Sequence, residues 1–217
     1  MTSPLPVAVL VSGEGTNLQA LLDALQDGHV ARVTRVVSSR PGAGALERAR
    51  RAGALTTVLA DPAGADEILV ALGDARLVVL AGYMKRIPPA VVARFRWRLI
   101  NIHPALLPAF GGAGMYGRRV HAAVLASGAA VSGATVHYVD DDYDHGPIIA
   151  QWPVPVRPDD TPDTLAARVL ELEHRLLPSV VLALAQRGAP GVPVRLFAMG
   201  SAFASGDTLG LEFEQGG

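Results

Sequence analysis

The chain has no cysteine. That excludes a disulfide framework, a thiolate metal site and a cysteine nucleophile, and it leaves the compartment unmarked by redox chemistry. Lysine is almost missing as well, with Lys85 the single one. Aromatic residues make up only 5% of the chain. No apolar run approaches the roughly 18 residues of a membrane span. Neither sign of charge is in excess, with 19 Lys and Arg against 20 Asp and Glu. Such a balance offers no global basic field to duplex nucleic acid or to an anionic membrane. The opening Met1-Thr2-Ser3-Pro4-Leu5-Pro6 lacks the basic n-region of a secretory leader. These absences predict a cytoplasmic protein without nucleic acid or membrane among its partners. What is abundant is apolar: half of the 217 residues are hydrophobic. That fraction with so little net charge argues against disorder, and the length suits one domain with a sizeable core.

The apolar residues fall into alternating short runs and helical stripes. Leu5 to Val11 is a continuous valine-rich run, followed by Ser12-Gly13-Glu14-Gly15-Thr16-Asn17 and then Leu18, Leu21, Leu22 and Leu25 at helical spacing. This reads as strand, glycine-rich turn, helix. Strands are predicted at Val33–Ser38, Leu55–Leu59, Leu77–Ala81 and Leu99–Ile102, with helices at Ala45–Ala52, Asp66–Leu72 and Pro88–Phe95 between them. Repeated strand–helix alternation with buried strands implies an α/β fold: a doubly wound, mostly parallel sheet with a Rossmann-like N-terminal half. A helix over Arg119–Ala126 follows, then an alternating strand over Val131–Val139. Ile148–Val156 carries prolines that suit a sheet edge. A long helix spans Thr161–Arg187, started by Thr161-Pro162, stopped by Gly188 and kinked by Pro178. Residues 1–190 form a single domain on this reading, and 191–217 a C-terminal tail with a short hairpin.

In open α/β sheets, ligands bind beyond the carboxyl ends of the strands. Three segments fall at such ends: Ser12–Asn17, Gly82–Ile87 and Asn101-Ile102-His103-Pro104. A fourth, Asp140 to Pro147, can fold over the same crevice. The first segment places glycines and Thr16 at a helix N-terminus, where free N–H groups and the helix dipole favour an anion. It is a phosphate cradle or a plain tight turn with Thr16 as N-cap. It is not a Walker loop, since no Gly-Lys-Ser/Thr follows. The dinucleotide fingerprint fails in part, because Leu18 stands at the third glycine and no acid ends the second strand. Arg40 there can read an NADP 2′-phosphate or stand as a lone surface arginine. Asn101 and His103, two apart at a strand end, can project to one side. An amide beside an imidazole suits a developing oxyanion and proton transfer near neutral pH. The acidic run Asp140-Asp141-Asp142-Tyr143-Asp144 is a solvated turn, or a metal site with His137 and His145, or the source of an aspartate paired with His103.

Taken together, these pieces resemble the phosphoribosylglycinamide formyltransferases, folate-dependent enzymes of purine synthesis. The resemblance runs over residues 6–187. It is carried by Val11 to Ala20, Leu46 to Ala49, Val79 to Met84, Asn101 to Pro108, Gly133 to Tyr138 and Asp144 to Pro147, in that order. It implies the formyltransferase fold and transfer of a formyl group from 10-formyltetrahydrofolate, as co-substrate, to the amine of glycinamide ribonucleotide, without a metal. By resemblance, Asn101 donates to the oxyanion and His103 stabilises it, while Asp144 raises the histidine pKa and relays a proton. The same likeness puts the substrate phosphate on Gly15, Thr16 and Asn17 and the ribose on Glu173. One turn before Glu173 stands Leu170, which offers the phosphate no charge. The folate site is carried over onto Met84, Lys85, Arg86, Ile87, Leu99, Asn101, Val139 and Asp140.

Two departures stand out. No basic residue lies between Thr56 and Ala75, where the family commonly turns an arginine toward the folate, so Lys85, Arg86 or Arg118 is the candidate substitute. The stretch Ala109 to Arg118 is long and rich in glycine, reading as a mobile flap or a plain loop. Two rival readings share these motifs. A formyltetrahydrofolate deformylase would use the same Asn, His and Asp but would carry an additional N-terminal domain. An NADP-dependent oxidoreductase would use the first turn and have no need of Asn101 and His103 together. The assembly is expected to be a monomer or a homodimer.

Overall fold

A computed structural model of the chain describes residues 3–189, 191–198 and 211–213. In chain order the elements are β1 (Leu5–Val11), α1 (Thr16–Ala24), β2 (Ala31–Ser38), α2 (Gly44–Arg51), β3 (Leu55–Val58), α3 (Ala65–Leu72), β4 (Leu77–Leu80), α4 (Pro89–Arg94) and β5 (Leu99–His103). They continue with α5 (Arg118–Ala126), β6 (Val131–Tyr138), β7 (Ile148–Pro155) and α6 (Pro162–Gln186), then the short strands β8 (Leu196–Ala198) and β9 (Leu211–Phe213).

Seven strands form one sheet in the order β3-β2-β1-β4-β5-β6-β7. The pairs from β3 through β5 are parallel, while β5–β6 and β6–β7 are antiparallel. The order reverses beside β1, so a crevice opens beyond the ends of β1 and β4. The expected doubly wound, mostly parallel sheet is present, with β7 and its Pro153 and Pro155 on the edge.

The alternation within β1 explains why helices cover both faces. Val7, Val9 and Val11 pack with Leu18 and Leu21 of α1 and with Leu165, Val169 and Leu176 of α6. Ala8 and Leu10 point the other way, into a second cluster with Ile68 and Leu72 of α3 and Val91 of α4. A strand buried on both faces needs apolar residues at every position, which is why the first run contains no polar interruption.

Helix ends follow local chemistry. Thr161 caps α6 through a reciprocal capping box with Thr164, Pro162 takes the first helical position, and Gly188 ends the helix at φ 71°. The helix runs through Pro178 without interruption. At α1 the cap is Gly15, not Thr16, and Thr16 is the first helical residue. In the C-terminal segment, β8 pairs antiparallel with β9, as a hairpin would. The rest of that predicted tail, residues 199–210 and 214–217, lies outside the described residues.

Candidate active site

The turn after β1 is built by three hydroxyl and guanidinium contacts. Ser12 Oγ lies 2.6 Å from Ser39 Oγ at the end of β2 and accepts the Met84 N–H at 2.9 Å. Arg40 Nε donates to the Ser12 carbonyl at 2.8 Å. The arginine that a 2′-phosphate reader would need is therefore a brace for the turn. Gly15 adopts φ 75°, and a Cβ there would lie 2.5 Å from that of Ala45. Only glycine lets α1 begin this close to α2.

From this turn Asn17 reaches across the molecule. Its Nδ2 donates to Glu173 Oε2 at 2.6 Å, joining α1 to the middle of α6 over 156 residues of sequence. Glu173 is 7% exposed. Burial pushes its carboxyl up to about 7, against the pull of the Asn17 amide.

The second wall comes from the ends of β5 and β6. In their register Asn101 faces His137 and His103 faces Thr135. His137 Nδ1 lies 2.8 Å from the Tyr138 carbonyl, a contact that needs the proton on Nδ1. Its Nε2 is then the acceptor for Asn101 Nδ2 at 3.1 Å. The amide of Asn101 is thereby oriented, with Asp144 Oδ1 also 3.4 Å from the same nitrogen. His103 is 3% exposed. Its Nε2 donates to the Phe110 carbonyl at 2.9 Å, and its Nδ1 lies 3.4 Å from Asp144 Oδ2. Asp144 also accepts the Gly112 N–H at 3.0 Å. The glycine-rich loop thus bonds to both members of the histidine–aspartate pair. Gly146 brings Asp144 into place, because its Cα passes so close to the Tyr138 carbonyl that no Cβ would fit.

Charge states follow from these contacts. Burial holds the His103 imidazole below the ordinary histidine value, while the Asp144 carboxylate and the Phe110 carbonyl pull it upward. The carboxylate acts in the expected direction, but desolvation outweighs it and the resting ring is not raised. Burial alone would push Asp144 up. The nearby His137 and His103 rings and the Gly112 N–H together bring it below the usual carboxylate range.

Both walls face one cavity of about 470 Å³. Asn17, Met84, Asn101, His103, Asp144 and Glu173 all line it. Gly15 and Thr16 precede Asn17 in the same turn. The other residues read for the folate are not among those that line the cavity. Lys85 is exposed, and Arg86 donates to the Asp141 carbonyl at 2.7 Å, tying the β4 loop to the acidic loop. Ile87 and Leu99 are buried in the core, so what they present to a ligand is backbone. Val139 hydrogen-bonds the Leu99 carbonyl through its N–H, and Asp140 pairs with His145 at 3.0 Å. Among the described residues, no group of three or more His, Asp or Glu is disposed to hold a metal ion. Arg118 lines the cavity and is held by Asp163 at 2.7 Å.

Four groups of the site escape the sequence motifs. His137 was weighed only as a metal ligand, although its register opposite Asn101 was implied once β5 and β6 paired. The Phe110 carbonyl and the Gly112 N–H are backbone groups and carry no side-chain signal. His121 lines the same cavity from α5.

The sequence and the fold match known proteins. The formyl transferase family pattern fits residues 5–181. A chloroplastic phosphoribosylglycinamide formyltransferase of Arabidopsis thaliana is 44% identical over 83% of this chain. The match covers 65% of that protein, and 61% of its 43%-identical counterpart in Vigna unguiculata, so the chain spans somewhat less than two thirds of these plant relatives. The phosphoribosylglycinamide formyltransferase of Escherichia coli K12 is 38% identical over 81% of this chain and is covered over 84% of its own length. The crystal structure of phosphoribosylglycinamide formyltransferase from Anaplasma phagocytophilum superposes with a TM-score of 0.79 at 36% identity, covering 89% of this chain and 90% of the other.

Proposed function

The chain belongs to the formyl transferase family, and from that premise we propose that it transfers a formyl group from 10-formyltetrahydrofolate to the amine of glycinamide ribonucleotide in purine biosynthesis. The observation that carries this reading is one cavity lined by Asn17 and Glu173 together with Asn101, His103 and Asp144. The first pair suits a ribose phosphate and the second group an acyl carbon under attack.

The neutral glycinamide amine attacks the formyl carbon and a C–N bond forms. The formyl oxygen takes up the electron pair and becomes the oxyanion. Asn101, its amide already oriented by His137, donates to that oxygen. The His103–Asp144 separation of 3.4 Å is an ion-pair distance, longer than a tight N–H···O bond. His103 Nδ1 therefore keeps room for the oxyanion. As negative charge develops, His103 takes up, through a water beside Asp144, the proton that the attacking nitrogen gives up. Asp144 and the Phe110 carbonyl then stabilise the imidazolium. The imidazolium then passes that proton through water to the folate N10 as the oxyanion electron pair re-forms the carbonyl and the bond from N10 to the formyl carbon breaks. Groups fixed before the charge appears are the main source of such rate enhancement.

For the nucleotide, the N–H groups at the start of α1 (Gly15, Thr16 and Asn17) receive the phosphate, and Glu173 binds the ribose hydroxyls. Met84, the backbone of 85–87 and 99, Asn101, Val139 and Asp140 frame the pterin. The reaction calls for no metal. No helix among the described residues is long and apolar enough to cross a membrane. Together with the balanced charge, this supports placing the protein in the cytoplasm, as a monomer or homodimer acting on small molecules alone. The test is an assay of purified protein with 10-formyltetrahydrofolate, with and without glycinamide ribonucleotide. Product should form only with the nucleotide. Folate consumed at the same rate in water alone would identify a hydrolase instead.

A further inference from the structure

The α5 helix buries Val120, His121 and Val124. Val124 belongs to the core, whereas His121 lines the cavity and is 4% exposed. Its Nδ1 is buried and has no hydrogen-bond partner. Asn17 Oδ1, on the same cavity, is buried without a partner as well. Buried polar atoms are almost always satisfied, so two orphans on residues that line one cavity mark a missing partner. Burial holds the His121 imidazole below the ordinary histidine value, and His103 adds to that. The ring is therefore neutral, with one N–H and one bare nitrogen. The mechanism above makes no use of it.

We infer that His121 is a substrate-contacting residue that hydrogen-bonds the amide of the glycinamide arm and so aims the amine at the formyl carbon. The inference rests on the reading in the preceding subsection. The ribose is held at Asn17 and Glu173, and the attacked carbon lies at Asn101 and His103. The amide linkage is the part of the nucleotide that spans the two groups. His121 shares the cavity with both groups and is close enough to His103 for their charges to interact. An amide presents both a donor and an acceptor, the complement of a neutral imidazole. It would satisfy a nitrogen that the free protein leaves unpaired.

The test uses the full chain. His121→Phe keeps a ring and removes the nitrogens. Its KM for glycinamide ribonucleotide should rise about tenfold or more, as loss of a buried hydrogen bond implies. Its KM for 10-formyltetrahydrofolate should stay within about twofold, since the amide belongs to the other substrate. Its Tm should hold or rise, because replacing an unpaired buried nitrogen with an apolar group removes a penalty. His121→Asn should recover most of the nucleotide affinity. Wild-type protein labelled with ¹⁵N-histidine provides a readout that needs no folded variant: the His121 ring nitrogens should shift with glycinamide ribonucleotide and not with the folate. An unchanged nucleotide KM in His121→Phe, equal rises in both KM values with a lowered Tm, or unmoved His121 signals would each overturn the inference. If wild-type turnover still requires the nucleotide, such results sink only the role of His121. If it does not, the functional reading fails first.

Discussion

Asp144 and Glu173 border the same cavity, yet their surroundings drive them in opposite directions. Asp144 is pushed up by burial and brought below the carboxylate range by His137, His103 and the Gly112 N–H. Glu173 is also desolvated, but among the described residues only the Asn17 amide donates to it, and its carboxyl sits at about 7. Burial alone does not decide the charge of a carboxyl. The number and kind of donors turned toward it decide. The cavity therefore holds a fixed negative charge beside an imidazole. It also holds a carboxyl that can donate or accept a hydrogen bond near neutral pH.

Substitutions can break this contrast. The largest loss is expected for His103→Ala, with turnover falling toward the upper end of the ~10²–10⁴ typical of an acid–base group, measured by steady-state kinetics on protein shown to be folded by circular dichroism. Asp144→Asn should approach that loss, while Glu173→Gln should raise the nucleotide KM and leave kcat within a few-fold. If Asp144→Asn were as mild as Glu173→Gln, the two carboxyls would not be divided between chemistry and binding. Asn101→Ala should cost less than the histidine, about 10²–10³ in kcat, the usual effect of one oxyanion donor.

Stability against pH sharpens the same contrast. Glu173 rises from 4.5 to about 7 on folding. Its neutral form is favoured in the folded state, so wild-type stability should fall as pH climbs from about 4.5 to about 7. The penalty is complete above that window and amounts to about 3 kcal/mol. Glu173→Gln should remove this decline, giving a higher urea midpoint than wild type at pH 7.5 and little difference at pH 4.5. Asp144 has the opposite sign: its contribution is present above the unfolded carboxylate value and is lost as pH falls through the depressed folded one. The smallest effect belongs to Arg118→Ala. The Arg118–Asp163 pair is exposed on both sides, and its loss should leave Tm within experimental error.

Much of this molecule could be read from residue order. Uninterrupted apolar runs such as Leu5–Val11 and Leu77–Ala81 announced strands buried on both faces. The spacing of Asn101 and His103 put two polar groups on one side of a strand end, and both line the cavity. Thr161-Pro162 and Gly188 bounded α6 to within a residue. What escaped was of two kinds. Contacts made by the main chain, at Phe110 and Gly112, leave no trace in side-chain identity. Partnerships across the fold, Asn17 with Glu173 and Asn101 with His137, exist only once helices and strands are placed in register. The desolvation that outweighs Asp144 at His103 escaped too, because a neighbouring carboxylate is visible in a motif and the depth of burial is not.

The Ser12 hydroxyl touches Ser39 and the Met84 main chain at once. The turn proposed to receive the nucleotide and the loop proposed to frame the pterin are therefore pegged to a single oxygen atom. The gap between two reactants that never bond to each other's pockets is gauged by the protein in advance. A group as small as one hydroxyl can act as the ruler that sets how far a carbon must travel.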